Sequence, residues 1–452
     1  MKLVIDNDII VSGINKETKS QLKRDTSFIN PEYQDAVKFK RSTYGIKKMI
    51  RLYKDVNNTL ILPRGCFYKV LAAAKEEPSF EFKTAIFEKI TIKSNIKLRP
   101  LQGPWAEQAL NHINGMCIAP AGSGKTVLAL HMISELGQPT LWLTHRQTLI
   151  DQLIERAEQF LDIGKIGILG DGKFEYGDVI TAGMVQTLVK KDLSEIYGKF
   201  GTVVIDEAHN LPADGFTKVA RKLNPHYMYG LTATPYREDR LEQIMYDIVG
   251  PTITKMSRKQ VIEAGGIIPA KVIVRKLPGK LYKNSKDYTK IIRYLESNEK
   301  RNNIIISDIL IEIALGNTCI ALTNRVNHGA ILKDMLKDLG VDSEHIHSKT
   351  SNKVKQAAIV RFKLGEVPLL IATYRMLGEG FDHQSTNRIF FTLPHKARGL
   401  IEQAKGRIER TADGKTDALL YDYVDVDIPM LYRQFEARLE QYENHELDIL
   451  ET

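Results

Sequence analysis

An α/β fold of two parallel-sheet lobes with a small N-terminal α+β domain is predicted by three features of the 452-residue chain. From about residue 98 onward, short apolar runs end in polar or Gly/Pro turns and alternate with amphipathic stretches. Strands buried on both faces read as such runs, and their alternation with helices builds parallel sheets. The pattern then stops and restarts across 265–300. Length agrees, because single cores seldom grow beyond ~250–300 residues. The chain therefore divides into a basic N-terminal domain (1–97), a first lobe (98–265), a linker (266–300) and a second lobe (301–452).

In the first lobe, "GMCIAP", "PTLWLTH", "DVITA", "TVVIDEAH" and "MYGLTATP" are expected as strands, with "TVLALHMISELG" as a helix. In the second, "TCIALT", "SEHIHS", "LLIATY", "RIFFTL" and "ALLYDYV" are the strands, with helices such as "RVNHGAILKDMLKDLG" between them. After this lobe, "PMLYRQFEARLEQYENHELDIL" is expected to be too short for an appended nuclease.

Composition excludes several classes. Hydrophobic residues make up 43% and charged residues 26%, with no low-complexity tract, so extended disorder is not expected. "MKLVIDNDIIVSG" carries Asp6 and Asp8 inside its apolar run and is a poor signal peptide. "NNIIISDILIEIAL" is broken by Asp308 and Glu312, so a cytoplasmic protein with no membrane partner is expected. Cys66, Cys117 and Cys319 lie far apart and read as core residues, with neither a disulfide framework nor a zinc site.

Charge is concentrated at one end. Residues 1–97 hold 19 Lys/Arg against 11 Asp/Glu, a balance of +8 out of +9 for the whole chain. Within them, "KFKRSTYGIKKMIRLYK" (38–54) has seven basic residues, no acidic ones, and Phe39, Tyr44 and Tyr53 interleaved. Lys38, Lys40, Arg41, Lys47, Lys48 and Arg51 suit phosphate contacts, with aromatic faces available for stacking. The alternative is a solvated helix face over a small core.

"APAGSGKT" (119–126) follows a predicted strand and precedes a predicted helix. In that context Pro120, Ala121, Gly122, Ser123 and Gly124 place backbone N–H groups around an anion. Lys125 reaches terminal phosphates, and the Thr126 hydroxyl faces Mg²⁺. Ala119 stands where the usual pattern begins with glycine. The chain should therefore bind a nucleoside triphosphate with Mg²⁺. At the end of the strand in "VVIDEAH", Asp206 and Glu207 stand side by side, where one carboxylate can hold the metal and the other can polarise a water for attack on the γ-phosphate. Neighbouring strand residues point oppositely, so the turn beginning there must bring both carboxylates into one site.

"APAGSGKT", "DEAH", "LTATP" (231–235) and "QAKGRIER" (403–410) occur in the order that resembles the superfamily-2 helicases and translocases. "LRPLQGPWAEQAL" (98–110) is similar to their XPB-like and UvsW-like members, and the latter likeness extends into 1–97. The resemblance covers about 98–425 and implies tandem RecA-like lobes. It implies that Gln102 reads adenine, so that the nucleotide is ATP, that Asp206 holds the metal and Glu207 is the general base, and that His209, Thr232 and Thr234 couple the nucleotide site to strand movement. Nucleic acid would be held by Thr144, His145 and Arg146, by Thr181, Gln186 and Thr187, and in the second lobe by Thr323, Arg325, Thr373 and Arg375. Gly378 and Asp382 would face the nucleotide, and Gln403, Arg407 and Arg410 would approach the γ-phosphate. Two departures stand out: Thr-Ala-Thr replaces the commoner Ser-Ala-Thr, and Leu101 replaces an aromatic residue.

The expected activity is an ATP-dependent DNA helicase or translocase that remodels forks, Holliday junctions or D-loops, in the host cytoplasm if phage-encoded. The enzymatic alternatives are an RNA-dependent ATPase and a restriction motor subunit. From another class comes an NTP-gated clamp that never travels. The N-terminal domain is expected to grip branched DNA and to be dispensable for basal ATP turnover.

Overall fold

Asn114–Ile118, Thr140–Thr144, Thr202–Ile205 and Tyr227–Thr232 are buried at every position except Tyr227. They form the centre of an eight-stranded sheet with the spatial order Lys173–Glu175, Gly167–Gly170, Ile180–Met184, Thr140–Thr144, Thr202–Ile205, Tyr227–Thr232, Asn114–Ile118 and Thr252–Lys255. Every pairing is parallel except that of the hairpin strand Lys173–Glu175. Helices such as Lys125–Leu136 and Gln147–Phe160 connect the strands. The carboxyl ends of the central strands deliver the loop 119–124, Thr144, Asp206 and Thr232 to one edge, where open α/β sheets place their ligands.

The structure describes residues 1–451 apart from 171, 211–213, 234–239, 278–286, 378–382, 396–397 and 445–446. This computed structural model divides into two units, Met1–Ala264 and Gly265–Thr452.

The second unit is built on a seven-stranded parallel sheet ordered Ser343–Ile346, Leu369–Thr373, Cys319–Thr323, Arg388–Phe391, Ala418–Asp425, Ala270–Leu277 and Asp448–Glu451. The expected linker 266–300 is corrected here. Ala270–Leu277 lies inside this sheet, paired on both sides, and Ile291, Ile292 and Leu295 of the helix Tyr288–Ser297 are fully buried. Its charged residues alternate with buried apolar ones between two prolines, a pattern that resembles a boundary more than a sheet interior. The final strand extends the same sheet, so 429–451 belongs to the lobe.

The N-terminal domain is a five-stranded sheet ordered Lys54–Val56, Thr59–Pro63, Asp8–Ser12, Lys2–Ile5 and Ser79–Phe82, with Leu3, Ile9, Val11, Leu22, Leu60 and Leu62 fully buried in its core. It is built into the first unit. Arg64, 2% exposed, donates to the carbonyls of Pro225 and His226. Arg221 holds Asp8 with two bonds of 3.0 and 2.7 Å, and Lys69 pairs with the buried Asp247. A Cβ on Gly65 would meet the Tyr246 carbonyl oxygen at 2.4 Å, so the two surfaces touch at backbone distance. Leaving a buried polar group without its partner costs about 1–3 kcal/mol. Removal of 1–97 would strip Asp247, Arg221 and the Pro225–His226 carbonyls at once. Substitutions, not truncation, are therefore the cleaner probe of this domain.

Cys66, Cys117 and Cys319 are all buried, as expected of core residues. Among the described residues, no helix is long and apolar enough to cross a membrane.

Candidate nucleotide site and nucleic-acid face

The helix Lys125–Leu136 begins without a side-chain cap and has no acidic residue in its first turn. Six other helices are capped by Asn15, Asn30, Ser257, Asp287, Asn298 or Ser351. The uncapped N–H groups and the positive end of the helix dipole are what an anion requires. Gly122 and Gly124 adopt φ of 80° and 87°, which give the preceding loop its tight turn. Gln102 closes over it. The side chain is 5% exposed; its Nε2 donates to the Ser123 carbonyl at 2.9 Å and its Oε1 accepts from Arg99 N–H at 2.9 Å. A Cβ at position 124 would lie 2.9 Å from Gln102 Nε2, so glycine is needed for space as well as for φ.

Lys125 Nζ donates to the carbonyls of Ala119 and Pro120 at 3.1 and 3.4 Å. Its charge lies close enough to Asp206 and Glu207 to favour their ionised forms. Asp206, 9% exposed, is pushed up to about 7, chiefly by burial and then by its acidic neighbour. Burial acts on Glu207 in the same direction. There the hydrogen bond from His209 and the charge of Lys125 outweigh it and hold the carboxyl low, at about 2.

The facing problem posed by the adjacent carboxylates is solved by the backbone. Glu207 adopts φ = 49°, the left-handed region, and its N–H donates to Asp206 Oδ1 at 3.0 Å. That conformation costs a non-glycine residue on the order of 1–2 kcal/mol. The turn it makes sets Glu207 against His209, whose Nδ1 lies 3.2 Å from Glu207 Oε2 and 3.2 Å from the Thr232 hydroxyl. Three residues from two strand ends thus share one contact set. Among the described residues no cluster of three metal-ligating side chains exists, so a divalent ion here would draw most of its ligands from nucleotide and water. Asp206 fits such an ion: its buried carboxylate has a neighbouring negative charge for the ion to offset.

The segments expected at the nucleic-acid face divide. Arg146 and Gln186 are exposed and Thr187 is half-buried. Gln186 Nε2 donates to the His145 carbonyl at 2.8 Å, tying the two segments together. The His145 ring is half-buried beside the carboxylates. Burial, then the charge of Arg146, lowers it to about 4, so it is neutral near pH 7. Thr181 and Thr323 correct the expectation of direct contact. Thr181 is 1% exposed and its hydroxyl accepts from Gly177 N–H; Thr323 is 0% exposed and its hydroxyl meets His328 Nδ1 at 3.2 Å. Thr144 is likewise fully buried. Thr144 and Thr323 end their strands inside the sheet, and Thr181 lies near the start of its own. Arg325 pairs with Glu296 at 3.4 Å, and Thr373 is half-buried. Thr234, Gly378, Asp382 and the side chain of Arg375 lie outside the described residues.

On the helix Arg398–Ile408, Gln403 is exposed and Arg407 half-buried. Arg410 follows the helix and bridges to Ile267, while the buried Glu409 accepts from Ala270 N–H at 3.0 Å. Lys38, Lys40, Arg41, Lys47, Lys48 and Arg51 are all exposed, and the stretch is a helix end, a loop and a short strand, not a single helix face. Tyr53 departs from the expectation: it packs half-buried against the N-terminal core.

Comparison with known proteins agrees with this geometry. Residues 95–237 match the family described as type III restriction enzyme, res subunit, and residues 300–412 match the helicase conserved C-terminal domain. The chain is 32% identical over 186 residues to DNA 3'-5' translocase XPB2 of Sulfurisphaera tokodaii, covering 41% of each protein. A protein of Acanthamoeba polyphaga mimivirus, named for ATP-dependent RNA helicase activity, is 25% identical over 74% of this chain and 64% of its own length. The chain thus spans less than two thirds of these two relatives. Among solved structures, S. cerevisiae Dbp5 bound to RNA and ADP BeF3 superposes with a TM-score of 0.57 at 15% identity, covering 78% of this chain and 90% of that one. The ATP-dependent type ISP restriction-modification enzyme LlaBIII bound to DNA gives a TM-score of 0.60 at 16% identity, over 79% of this chain and 31% of that one. Both show the tandem-lobe fold. With a phosphate loop and an acidic pair at the strand ends of one parallel sheet, and matches to both helicase-type domains in order, the chain belongs to the superfamily-2 helicases.

Proposed function

We propose that the chain is an ATP-driven DNA helicase or translocase that remodels branched DNA. The observation that carries this reading is the continuous set Lys125, Asp206, Glu207, His209 and Thr232, which joins the phosphate loop to a second strand end through His209. A switch that only binds nucleotide has no need of a strained glutamate held ionised beside the phosphate loop. Thr126 and Asp206 would hold Mg²⁺, whose chemistry is to neutralise phosphate charge. Gln102 would read adenine with the N–H and lone pair its present bonds leave free. Glu207, ionised, takes the proton of the attacking water. His209 passes the change at Glu207 to Thr232 and so to the strand end at the lobe's edge. The DNA preference is supported by the exposed basic residues of the N-terminal domain and by the XPB2 relative's printed activity. The RNA alternative is supported by the mimivirus relative's name.

ATPase assays with single-stranded DNA, duplex, fork, four-way junction and RNA side by side test the reading. The greatest stimulation is expected with forked or four-way DNA. RNA as the strongest activator would replace it with the RNA-dependent alternative. In a triplex-displacement assay the translocase strips the third strand, whereas a clamp leaves it in place.

Arg407 and Arg410 are proposed as the charges that meet the γ-phosphate. Arginine suits the task because its planar fork spreads donors over oxygens whose charge shifts during transfer. Arg410→Ala is expected to lower DNA-stimulated turnover by on the order of 10³-fold. ATP affinity measured with a fluorescent analogue should change far less. Stimulated turnover within a few fold of wild type would remove Arg410 from the mechanism.

A further inference from the structure

The loop from Phe39 to Lys48 presents more than charge. Its first turn ends the helix Pro31–Lys38 with Arg41 N–H on the Ala36 carbonyl and Lys40 N–H on the Val37 carbonyl, at 2.7 and 3.1 Å. This closure places the residue after the cap in the left-handed region, normally glycine, and Lys40 takes it with φ = 51°. A charged side chain is kept where the backbone favours none. The second turn runs from Thr43 to Ile46, whose N–H reaches the Thr43 carbonyl at 3.1 Å. Gly45 supplies φ = 80° at its third position, the geometry of a type II turn, and Tyr44 stands at the corner, 97% exposed.

Two aromatic residues therefore stand out of the loop in different company. Phe39, 60% exposed, has Lys38 Nζ 5.6 Å and the Arg41 guanidinium 5.4 Å from its ring centre. Tyr44 makes no ring or cation contact among the described residues. Exposing a whole tyrosine at a turn corner gains nothing for this domain, whose core lies elsewhere. Lys40, Lys47 and Lys48 flank it, exposed and without an ion pair among the described residues.

We infer that this loop is a stacking site for an unpaired DNA nucleotide, with Tyr44 as the stacking face and Lys40, Lys47 and Lys48 as contacts to the flanking phosphates. The inference rests on the reading that the chain binds DNA, and it names the form of DNA this surface takes. In a duplex every base face is already covered by its neighbours, and a side chain that inserts must first unstack them. A base freed at a branch point or in a single strand offers its face without that cost, and stacking accepts any base. Phosphate contacts alone would not tell the two forms apart. The loop thus adds a preference for unpaired DNA to a grip that is otherwise indifferent.

The test uses the full chain and its Tyr44→Ala, Tyr44→Phe and Lys47→Ala/Lys48→Ala variants, with three probes: an oligonucleotide carrying 2-aminopurine, a blunt duplex, and a fork with 2-aminopurine at the branch. Tyr44→Ala should lose on the order of 10- to 100-fold in affinity for the single strand and the fork, the range of one base–aromatic stack, with duplex affinity within about 2-fold. The 2-aminopurine quenching seen with wild type should vanish in Tyr44→Ala and persist in Tyr44→Phe. The lysine pair should weaken all three probes together and flatten the salt dependence. Thermal unfolding at the wild-type temperature will show that each variant is folded. If wild type binds the probes and Tyr44→Ala binds them equally well, with quenching intact, the stacking site is wrong while the DNA reading stands. If wild type binds no DNA probe, both fall.

Discussion

Lys125→Ala is expected to lower ATP turnover by roughly 10²–10³-fold or more, while nucleic-acid binding without nucleotide should persist. The size follows from position. Lys125 is the residue of the phosphate loop proposed to reach the terminal phosphates, and removing one preorganised donor from developing charge costs about that factor. The structure indicates why the variant should fold: Lys125 Nζ rests on the Ala119 and Pro120 carbonyls, at 3.1 and 3.4 Å, and both belong to a loop end already joined to the sheet through Ala119 N–H on the Thr232 carbonyl. Thermal unfolding separates the two effects. The melting temperature without nucleotide should match wild type, and the increase that a non-hydrolysable ATP analogue gives to wild type should be lost. Wild-type turnover in the purified variant would overturn the site assignment.

The legible parts of this chain were those where chemistry is local. An unbroken apolar run such as "TLWLT" or "CIALT" has no polar face to give to solvent, and both became fully buried central strands. The phosphate loop was legible because strand, glycine-rich turn and helix start lie within one short stretch. Ala270–Leu277 was not, since its lysines and arginine alternate with valines and its partners lie about 150 residues away. The turn at Glu207 carries no glycine to mark the left-handed backbone, so only the structure shows how adjacent carboxylates come to share a site. Charge counts misled in a specific way. Arg64 and Lys69 contribute to the N-terminal excess, yet Arg64 is buried on two carbonyls of the first lobe and Lys69 pairs with Asp247. Asp8, whose charge argued against a signal peptide, is half of a bidentate pair with Arg221. Net charge records how many ions a segment holds, not which of them face solvent.

These same pairs change what the N-terminal domain can do. The helix Glu242–Val249 and the residues before Tyr227 are gripped from Lys69 and Arg64, and Arg240 pairs with Asp35 at 2.7 Å on the helix that leads into the basic loop. The strand Tyr227–Thr232 thus has an N-terminal contact before it and the Glu207–His209 pair at its far end. A domain attached this way is held to the first lobe, and its basic loop with it.

Glu207→Gln is expected to collapse turnover by about 10²–10⁴-fold while ATP still binds, because a general base contributes on that order and an amide cannot accept the proton. The exchange is nearly isosteric. Two features of the site decide how clean it is. The left-handed φ of 49° belongs to the backbone and burdens glutamine as it does glutamate, so the turn should hold. The His209 contact at 3.2 Å can persist with the amide oxygen as acceptor, though without the charge that strengthens it. Removing the negative charge of Glu207 also relieves Asp206, whose carboxyl its neighbour pushes up, so the group proposed to hold the metal should ionise more readily in the variant. Nucleotide affinity should therefore be retained or improved, and the ATP-bound form should accumulate. Equilibrium binding of a fluorescent ATP analogue, paired with single-turnover hydrolysis, reads the two quantities separately. A variant that no longer binds ATP would make Glu207 a structural residue, and one that hydrolyses normally would place the base elsewhere.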